Sequence, residues 1–528
     1  MKRGGIIVLL LLLAGNLLLP APAASAAASP AAAASPAAAA SPAAAQHILL
    51  LYDSLAKGTG KEGNVAELQR LLAAYSAQVT LKNISDYEQG SLTAYSGMIT
   101  VINSAELKIT NSAYLQDAAG YKGSVMYVGY RPLDRVQQAL QLKTDIWHGA
   151  SASLSIGGFT GIPLEVEEMP YITASQGGRT YGGWSFEDGG VQMPYAVSRG
   201  EFTYMPYLKQ GDLSSMAAAY VLKDWLKSSA RPRTYLVLKE IYPFSDLELL
   251  EQTADRLYQS GIPFIASVRP VFGNTDFPAM KRYLEALRTV QSRNGSIVVN
   301  APAVRPPISL SDRSLHDKMN SFINVLAEGG VAPLGMAAEG YWTYDKEYST
   351  AGMGFFDSAV LYADEEARYM EQTDTSVTFP STLYSLPLEF LQGISRTGKA
   401  MPELPLNAAV TVDLPEDEAA LDSLMQNLGE EWYTFADYKR EAHNVVTDIN
   451  TIESADGVIY INGNNLNVDY TPQTVAADYQ YQEKQATSFN RLFSVQNRFF
   501  IIVILIALLL FGGLLTIGYR LYRRKYLK

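Results

Sequence analysis

Hydrophobic and polar positions divide the chain into two series of strands and helices between two unusual ends. Residues 48–52 form an apolar run that stops at Asp53 and Ser54, the pattern of a short buried strand. Leu68, Leu71, Leu72 and Tyr75 then fall on one face of a helix. Residues 79–84, 98–102 and 125–128 read as further strands, and strands alternating with helices predict a parallel sheet with covered faces. Residues 146–207 break this rhythm. Gly157-Gly158, Gly177-Gly178, Gly182-Gly183-Trp184 and Gly189-Gly190 sit among aromatics there and predict β-hairpins, with Trp184 and Tyr181 stapling them. A helix over 213–226 and a polar, proline-containing stretch at 228–233 end the first series.

The second series starts with a strand over 235–240 that ends in charge. Pro243 and Asp246 open a helix through Leu249, Leu250, Ala254 and Leu257; Gly261-Ile262-Pro263 leads into a strand at 264–268. A helix at 280–290, a strand at 296–300, further units around 332–335 and 407–412, and a helix at 418–428 continue the alternation. Polar residues at the C-terminal ends of such strands are how (β/α) barrels build sites.

The ends predict topology. A basic start (Lys2, Arg3), an apolar run over 6–19, Pro20 and the small residues Ala24-Ser25-Ala26 make a secretory signal peptide over 1–26. Ser-Pro pairs at 29, 35 and 41, each followed by alanines, make a low-complexity linker over 27–45. Residues 499–519 carry no charge and, as a helix at ~1.5 Å per residue, span about 31 Å, enough for a bilayer core. The tail at 520–528 is strongly basic, which places it in the cytoplasm. The expectation is a single-pass type I cell-membrane protein with an extracytoplasmic ectodomain, its polar, Gln-rich segment before the membrane helix acting as a stalk.

Composition narrows the chemistry. At 528 residues there is room for two or three domains. The absence of cysteine excludes disulfide scaffolds, thiolate metal sites and cysteine nucleophiles. A formal net charge of -11 argues against nucleic acid as a partner. Histidine is scarce: besides His47 there are His148, His316 and His443, far apart and expected as surface or capping residues. Tyrosine is abundant at 33 copies, which suits glycan contact and β-rich surfaces equally. Gly58, Gly60 and Gly63 have dinucleotide-loop spacing, but Glu62 follows Lys61, so no P-loop is formed, and the segment reads as a plain turn. No Gly-x-Ser-x-Gly occurs.

The order Leu-Lys-Glu-Ile-Tyr-Pro (238–243), Gly-Ile-Pro-Phe (261–264), Val-Arg-Pro (268–270) and Asn-Gly-Ser-Ile-Val-Val (294–299) resembles the DUF2334 family of polysaccharide deacetylase-like proteins, of the NodB type. That resemblance implies an α/β chain: a Rossmann- or flavodoxin-like module with a β-hairpin insertion at 46–229, a distorted (β/α) barrel at 230–445, an extension and stalk at 446–498, and the transmembrane helix. It also implies metal-dependent hydrolysis of an N-acetyl group, the metal held by an Asp and two His with a carboxylate as base. The motif positions depart from this. Lys239-Glu240 replaces a pair of acids; Asn300 and Val304 stand where two histidines are expected; residues 408–413 supply no late histidine; and Glu339 precedes Gly340-Tyr341-Trp342 where Pro-His-Tyr is common. Asn is a poor transition-metal ligand and Val is none. The expectation is therefore no cofactor and no metal, with Glu240 the only plausible remnant of a metal site.

What such a barrel would keep is a groove. Sugar rings offer apolar faces and hydroxyl rims, so aromatic, amide and acidic side chains suit them. The glycan-binding candidates are Glu240, Asn300, Glu339, Tyr341, Trp342, Tyr344 and Asp345. The leading expectation is a non-hydrolytic protein that binds or organises an exopolysaccharide or cell-wall glycan, with exopolysaccharide assembly proteins as partners. One alternative is an active N-deacetylase using zinc and atypical ligands; another is a scaffold for envelope proteins.

Overall fold

The computed structural model describes residues 46–186, 190–304, 313–395, 401–430, 434–469 and 487–526. The expected signal peptide, linker and most of the stalk lie outside these residues. The first apolar run becomes β1 (His47–Tyr52), joined through α1 (Asn64–Ala74) to β2 (Gln78–Asn83). β3 (Gly97–Ile102), α2 (Ser112–Gly120), β4 (Ser124–Gly129) and α3 (Asp134–Leu140) continue the alternation, and β2-β1-β3-β4 lie side by side in parallel. The gly-rich stretch then gives β5 (Lys143–His148), β6 (Ser151–Ile156), β7 (Phe159–Glu165), β8 (Glu168–Ala174), β9 (Arg179–Ser185), β10 (Met193–Arg199) and β11 (Phe202–Met205).

The expected parallel sheet and its hairpins are one structure. β11 adds to β4 in parallel, and β10, β9, β6 and β7 extend the same sheet antiparallel, nine strands in the order β2-β1-β3-β4-β11-β10-β9-β6-β7. Trp184 fastens the extension from within: fully buried, it meets Tyr195 and Tyr207 with ring centroids 6.0 and 5.7 Å away. At the margin, β7 carries Pro163 and a left-handed Gly161 (φ 62°). α4 (Leu213–Trp225), N-capped by Asp212, which accepts the Ser214 N–H at 2.8 Å, is almost wholly buried.

The second series closes on itself. β12 (Thr234–Ile241), α5 (Leu247–Gln259), β13 (Phe264–Val268), α6 (Pro278–Ser292), β14 (Gly295–Asn300), α7 (Ser314–Glu328) and β15 (Pro333–Glu339) follow the predicted order. β16 (Ser358–Tyr362), β17 (Ser381–Pro387), α8 (Leu388–Ile394), β18 (Ala408–Asp413) and α9 (Glu418–Glu430) complete a closed barrel of seven parallel strands, β18 pairing with β12 from Thr234↔Ala408 to Lys239↔Asp413. Its strands are apolar and buried because both of their faces are covered. A four-stranded antiparallel sheet, β19 (His443–Val446), β20 (Thr451–Ala455), β21 (Val458–Ile461) and β22 (Asn464–Asn465), follows where an extension was expected. Separately, α10 (Thr487–Tyr526) contains a span at Val503–Arg524, of mean hydropathy 2.1, long and apolar enough to cross a membrane.

No helix links β16 to β17, and α1 of the first sheet covers that flank instead. Its contact is charged. Glu67 and Arg70, both buried, pair at 2.9 Å. Arg70 donates to the Ser385 carbonyl and hydroxyl, each at 3.1 Å, and lies 4.0 Å from the centroid of the Tyr384 ring. The Tyr384 hydroxyl donates to the other Glu67 oxygen. Beside it, the free edge of β2 is taken up by the loop after β16: Leu81 N–H donates to the Asp374 carbonyl (2.7 Å) and Ser376 N–H to the Val79 carbonyl (2.8 Å).

A buried pair is costly to break and cheap to replace. Arg70→Met is expected to lower stability by about 3–5 kcal/mol, because Glu67 is left charged and buried. Glu67→Leu combined with Arg70→Met is expected to recover most of that loss. Urea denaturation of both variants checks the difference.

Candidate functional site

The C-terminal end of the barrel gathers polar side chains because each strand changes character there. β12 departs from regular pairing after Leu238, and Glu240 takes a left-handed backbone (φ 57°). Such a conformation in a residue with a Cβ costs of order 1–3 kcal/mol and clusters at functional sites. The irregularity turns the Glu240 carboxylate toward Arg269, the first residue past β13. Arg269 Nη2 donates to Glu240 Oε1 at 2.7 Å and Nη1 to the Ala301 carbonyl at 2.5 Å, while the Tyr242 hydroxyl donates to Glu240 Oε2 at 3.2 Å. Burial alone would raise the Glu240 carboxyl; the Arg269 hydrogen bond and charge, with Tyr242 and Lys239, outweigh it and hold it below the usual range. Lys239 itself is drawn aside to Asp413, at 3.4 Å.

Asn300 ends β14. It is 2 % exposed, and its Nδ2 has no hydrogen-bond partner; Arg269 Nε is likewise buried and unpartnered. Val304 is half-buried and packs on the core. Glu339 ends β15 half-buried, and its charge acts on Arg269, Tyr341, Tyr362 and Asp364. Tyr362 ends β16 and donates to the Ser267 hydroxyl at 3.2 Å. Two residues on, Asp364 accepts the Tyr341 N–H at 2.9 Å. Burial pushes the Asp364 carboxyl up to about 6, against the Tyr341 and Gly340 N–H groups and the Arg70 charge, with Glu339 adding to the rise.

The sequence-derived candidates therefore separate. Glu240, Asn300, Glu339 and Tyr341 stay at the mouth. Trp342, Tyr344 and Asp345 turn inward. Trp342 is 1 % exposed and stacks on Tyr348 at 4.5 Å. Asp345 is buried and accepts the N–H groups of Tyr348 (2.8 Å), Met370 (2.6 Å) and Glu371 (2.9 Å), so its carboxylate ties two loops together. Exposed aromatics do occur at the mouth, on other loops: Phe244 is 83 % exposed and stacks at 4.7 Å on half-buried Tyr242, and Phe272 and Phe277 are exposed nearby. With Pro270, Pro302 and Arg269 they line a cleft of about 620 Å³. Arg269, Tyr362 and Asp364 were missed as site residues. Arg269 directly follows β13 and Asp364 stands two residues past β16, and a charge just beyond a strand end is the signal that could have found them.

Zinc needs three or four converging imidazole, thiolate or carboxylate donors. Among the described residues no group of three or more His, Cys, Asp or Glu side chains converges. Glu240 is also neutralised by a guanidinium. These donors do not fit a zinc ion. The histidines lie elsewhere. His47 and His148 are exposed in β1 and β5, His148 standing 3.6 Å from Glu168, and His316 in α7 contacts Asp317 at 3.2 Å. His443 corrects the expectation of a surface or capping residue. It is buried, with Nε2 donating to the Tyr438 carbonyl (2.8 Å) and Nδ1 meeting the Ser358 hydroxyl (2.7 Å), and so latches β19 to the barrel. The loop at Gly58 matches the expected turn: a Cβ at Gly58 or Gly60 would meet nothing within 4 Å.

No family model matches the chain. The Bacillus subtilis (strain 168) protein named Uncharacterized protein YdaL is 26% identical over 278 residues, 48% of this chain and 45% of the relative, so the match spans just under half the relative's length. Among solved structures, the chain is similar to Agd3, described as a novel carbohydrate deacetylase, at 8% identity and TM-score 0.34 over 79% of this chain and 91% of that one. It is also similar to BA3943, a CE4 family pseudoenzyme from Bacillus anthracis (9% identity, TM-score 0.25, 38% of this chain and 60% of that one). The Bc1960 peptidoglycan N-acetylglucosamine deacetylase stands at 9% identity and TM-score 0.25, covering 39% of this chain and 85% of that one. At these scores none of the likenesses fixes the fold or the chemistry of this chain.

Burial lowers the His443 pKa from its usual value of about 6.5. A depressed histidine binds fewer protons in the folded state than in the unfolded state, so its contribution is complete above pH ~6.5 and is lost as pH falls through that value toward the folded one. Melting temperature should drop on acidification below pH ~6.5, and His443→Gln should flatten that limb.

Proposed function

We propose that this chain is a membrane-anchored extracytoplasmic protein whose barrel mouth binds or organises a polysaccharide, exopolysaccharide or cell-wall glycan, without metal-dependent removal of acetyl groups. The observation that carries this reading is the aromatic shelf of half-buried Tyr242 and exposed Phe244, Phe272 and Phe277, in one cleft with Arg269, whose guanidinium holds the Glu240 carboxylate. Aromatic faces take the C–H surface of a sugar ring, and guanidinium, amide and carboxylate groups take its hydroxyls. An exposed shelf of this kind suits a long polymer better than an enclosed small molecule. The donor set supports the non-deacetylating half of the reading: Glu240 is committed to Arg269 and Tyr242, and the neighbouring strand offers an amide rather than an imidazole. The apolar helix α10 supports anchoring, and assembly proteins of the same polymer are the partners such a chain would meet in the envelope.

Detergent-solubilised full-length protein is expected to retain N-acetylhexosamine or hexosamine oligomers on a glycan array. Phe244→Ala and Tyr242→Ala are each expected to weaken retention by about tenfold, the scale of one lost ring contact. The same protein with added zinc is expected to release no acetate. Chelator-sensitive release of acetate would overturn the reading, as would binding indifferent to both aromatic substitutions.

A further inference from the structure

The mouth holds more proton chemistry than binding requires. Glu339 pairs with Tyr362 in the β15–β16 register, so Asp364, two residues beyond Tyr362, lies on the adjacent strand end beside Glu339. Asp364 is held in place by the Tyr341 N–H, and an added Cβ on Gly340 would come within 3.3 Å of its Oδ1. The groups facing it come from three directions: Arg70 from α1, Glu339 with the Gly340 and Tyr341 N–H groups from the end of β15, and the phenols of Tyr341, Tyr344 and Tyr369. At the same end of the barrel, on the strand next to β15, the buried Asn300 amide keeps its N–H donors unpartnered. An N–H₂ group withdrawn from water with nothing to donate to is what a bound hydroxyl or carbonyl oxygen would satisfy.

We infer that this mouth hydrolyses a glycosidic bond of the glycan it holds, with Asp364 donating a proton to the leaving oxygen and Glu339 taking one from the attacking water. The inference rests on the glycan-binding reading above. The balance is closed by water alone. The bond from the anomeric carbon to the bridging oxygen breaks, and that oxygen receives the Asp364 proton. Water forms the new bond to carbon and gives its second proton to Glu339. Exchange with solvent then returns Asp364 to the acid form and Glu339 to the carboxylate. The requirement is two carboxyl groups in different environments, one protonated near neutrality and one ionised. Half-buried Asp364, raised to about 6, fits the first role. Half-buried Glu339, at the end of the adjacent strand with its charge acting on Arg269, takes the second role. Glu240 stays ionised on Arg269 and positions that guanidinium.

The test uses full-length protein in detergent, with a chelator present throughout, incubated with the N-acetylhexosamine and hexosamine oligomers that the array retains. New reducing ends should form, and the rate should fall as pH rises above about 6, as the Asp364 acid is lost. Asp364→Asn should cut the rate by about 10²–10⁴-fold, with an unchanged far-UV circular dichroism spectrum showing that the variant is folded. Asp364→Glu should restore part of the rate. Retention without any new reducing ends, or cleavage unaltered in Asp364→Asn, sinks this inference and leaves the binding proposal standing. Absence of retention sinks the binding proposal itself.

Discussion

The buried pair of Glu67 and Arg70 is the constraint on which the architecture turns. A parallel barrel needs apolar cover around its whole circumference, and this one has no helix of its own between β16 and β17. The first sheet supplies it, and the docking surface is held by charges that must satisfy one another. Arg70 reaches carbonyl groups at the ends of two barrel strands while Glu67 and Tyr384 balance it. Pairs of this kind add little net stability over a well-packed apolar contact, but they punish misalignment severely. The first sheet is thereby fixed in register against the barrel, and the Arg70 charge reaches the mouth, where it acts on Asp364. The polar end of the barrel is a product of both modules.

At that end, neighbouring groups with similar chemistry are driven apart by surroundings. Glu240 is exposed yet firmly ionised, because a guanidinium and a phenol hold both of its oxygens. Asp364 is half-buried and resists ionisation. Lys239 pairs with Asp413 and acts on the carboxylate beside it in sequence through its charge alone. The left-handed backbone at Glu240 produces this sorting, since it breaks the alternation of β12 and sends consecutive side chains to different partners.

Much of the barrel was legible in the sequence because its strands are largely apolar runs with polar or charged residues at their ends: β12, β13, β14, β15 and β18 all read directly. β16 and β17 did not. Residues 381–387 mix serines and a proline with apolar residues, and the helix that should punctuate the two strands comes from far upstream. For the site, composition located the right strand ends but could not tell which way a ring points. Trp342 and Tyr344 looked like a platform; packing against Tyr348 and the loops tied by Asp345 drew them inside. The aromatics that remain outside lie within two residues of a proline and sit in loops, where periodicity gives no signal. His443 was misjudged for a related reason: its partners, Ser358 and Tyr438, meet it only once the last small sheet folds back onto the barrel.

The two margins of the nine-stranded sheet bear on how the molecule behaves in a crowd. One margin, β2, is stitched to the loop after β16. At the other, β7 has a proline, which can donate no N–H, and a left-handed glycine that bends the strand out of line. Neither side presents a straight ladder onto which another copy could zip. Copies of this chain would therefore not join edge to edge through this sheet.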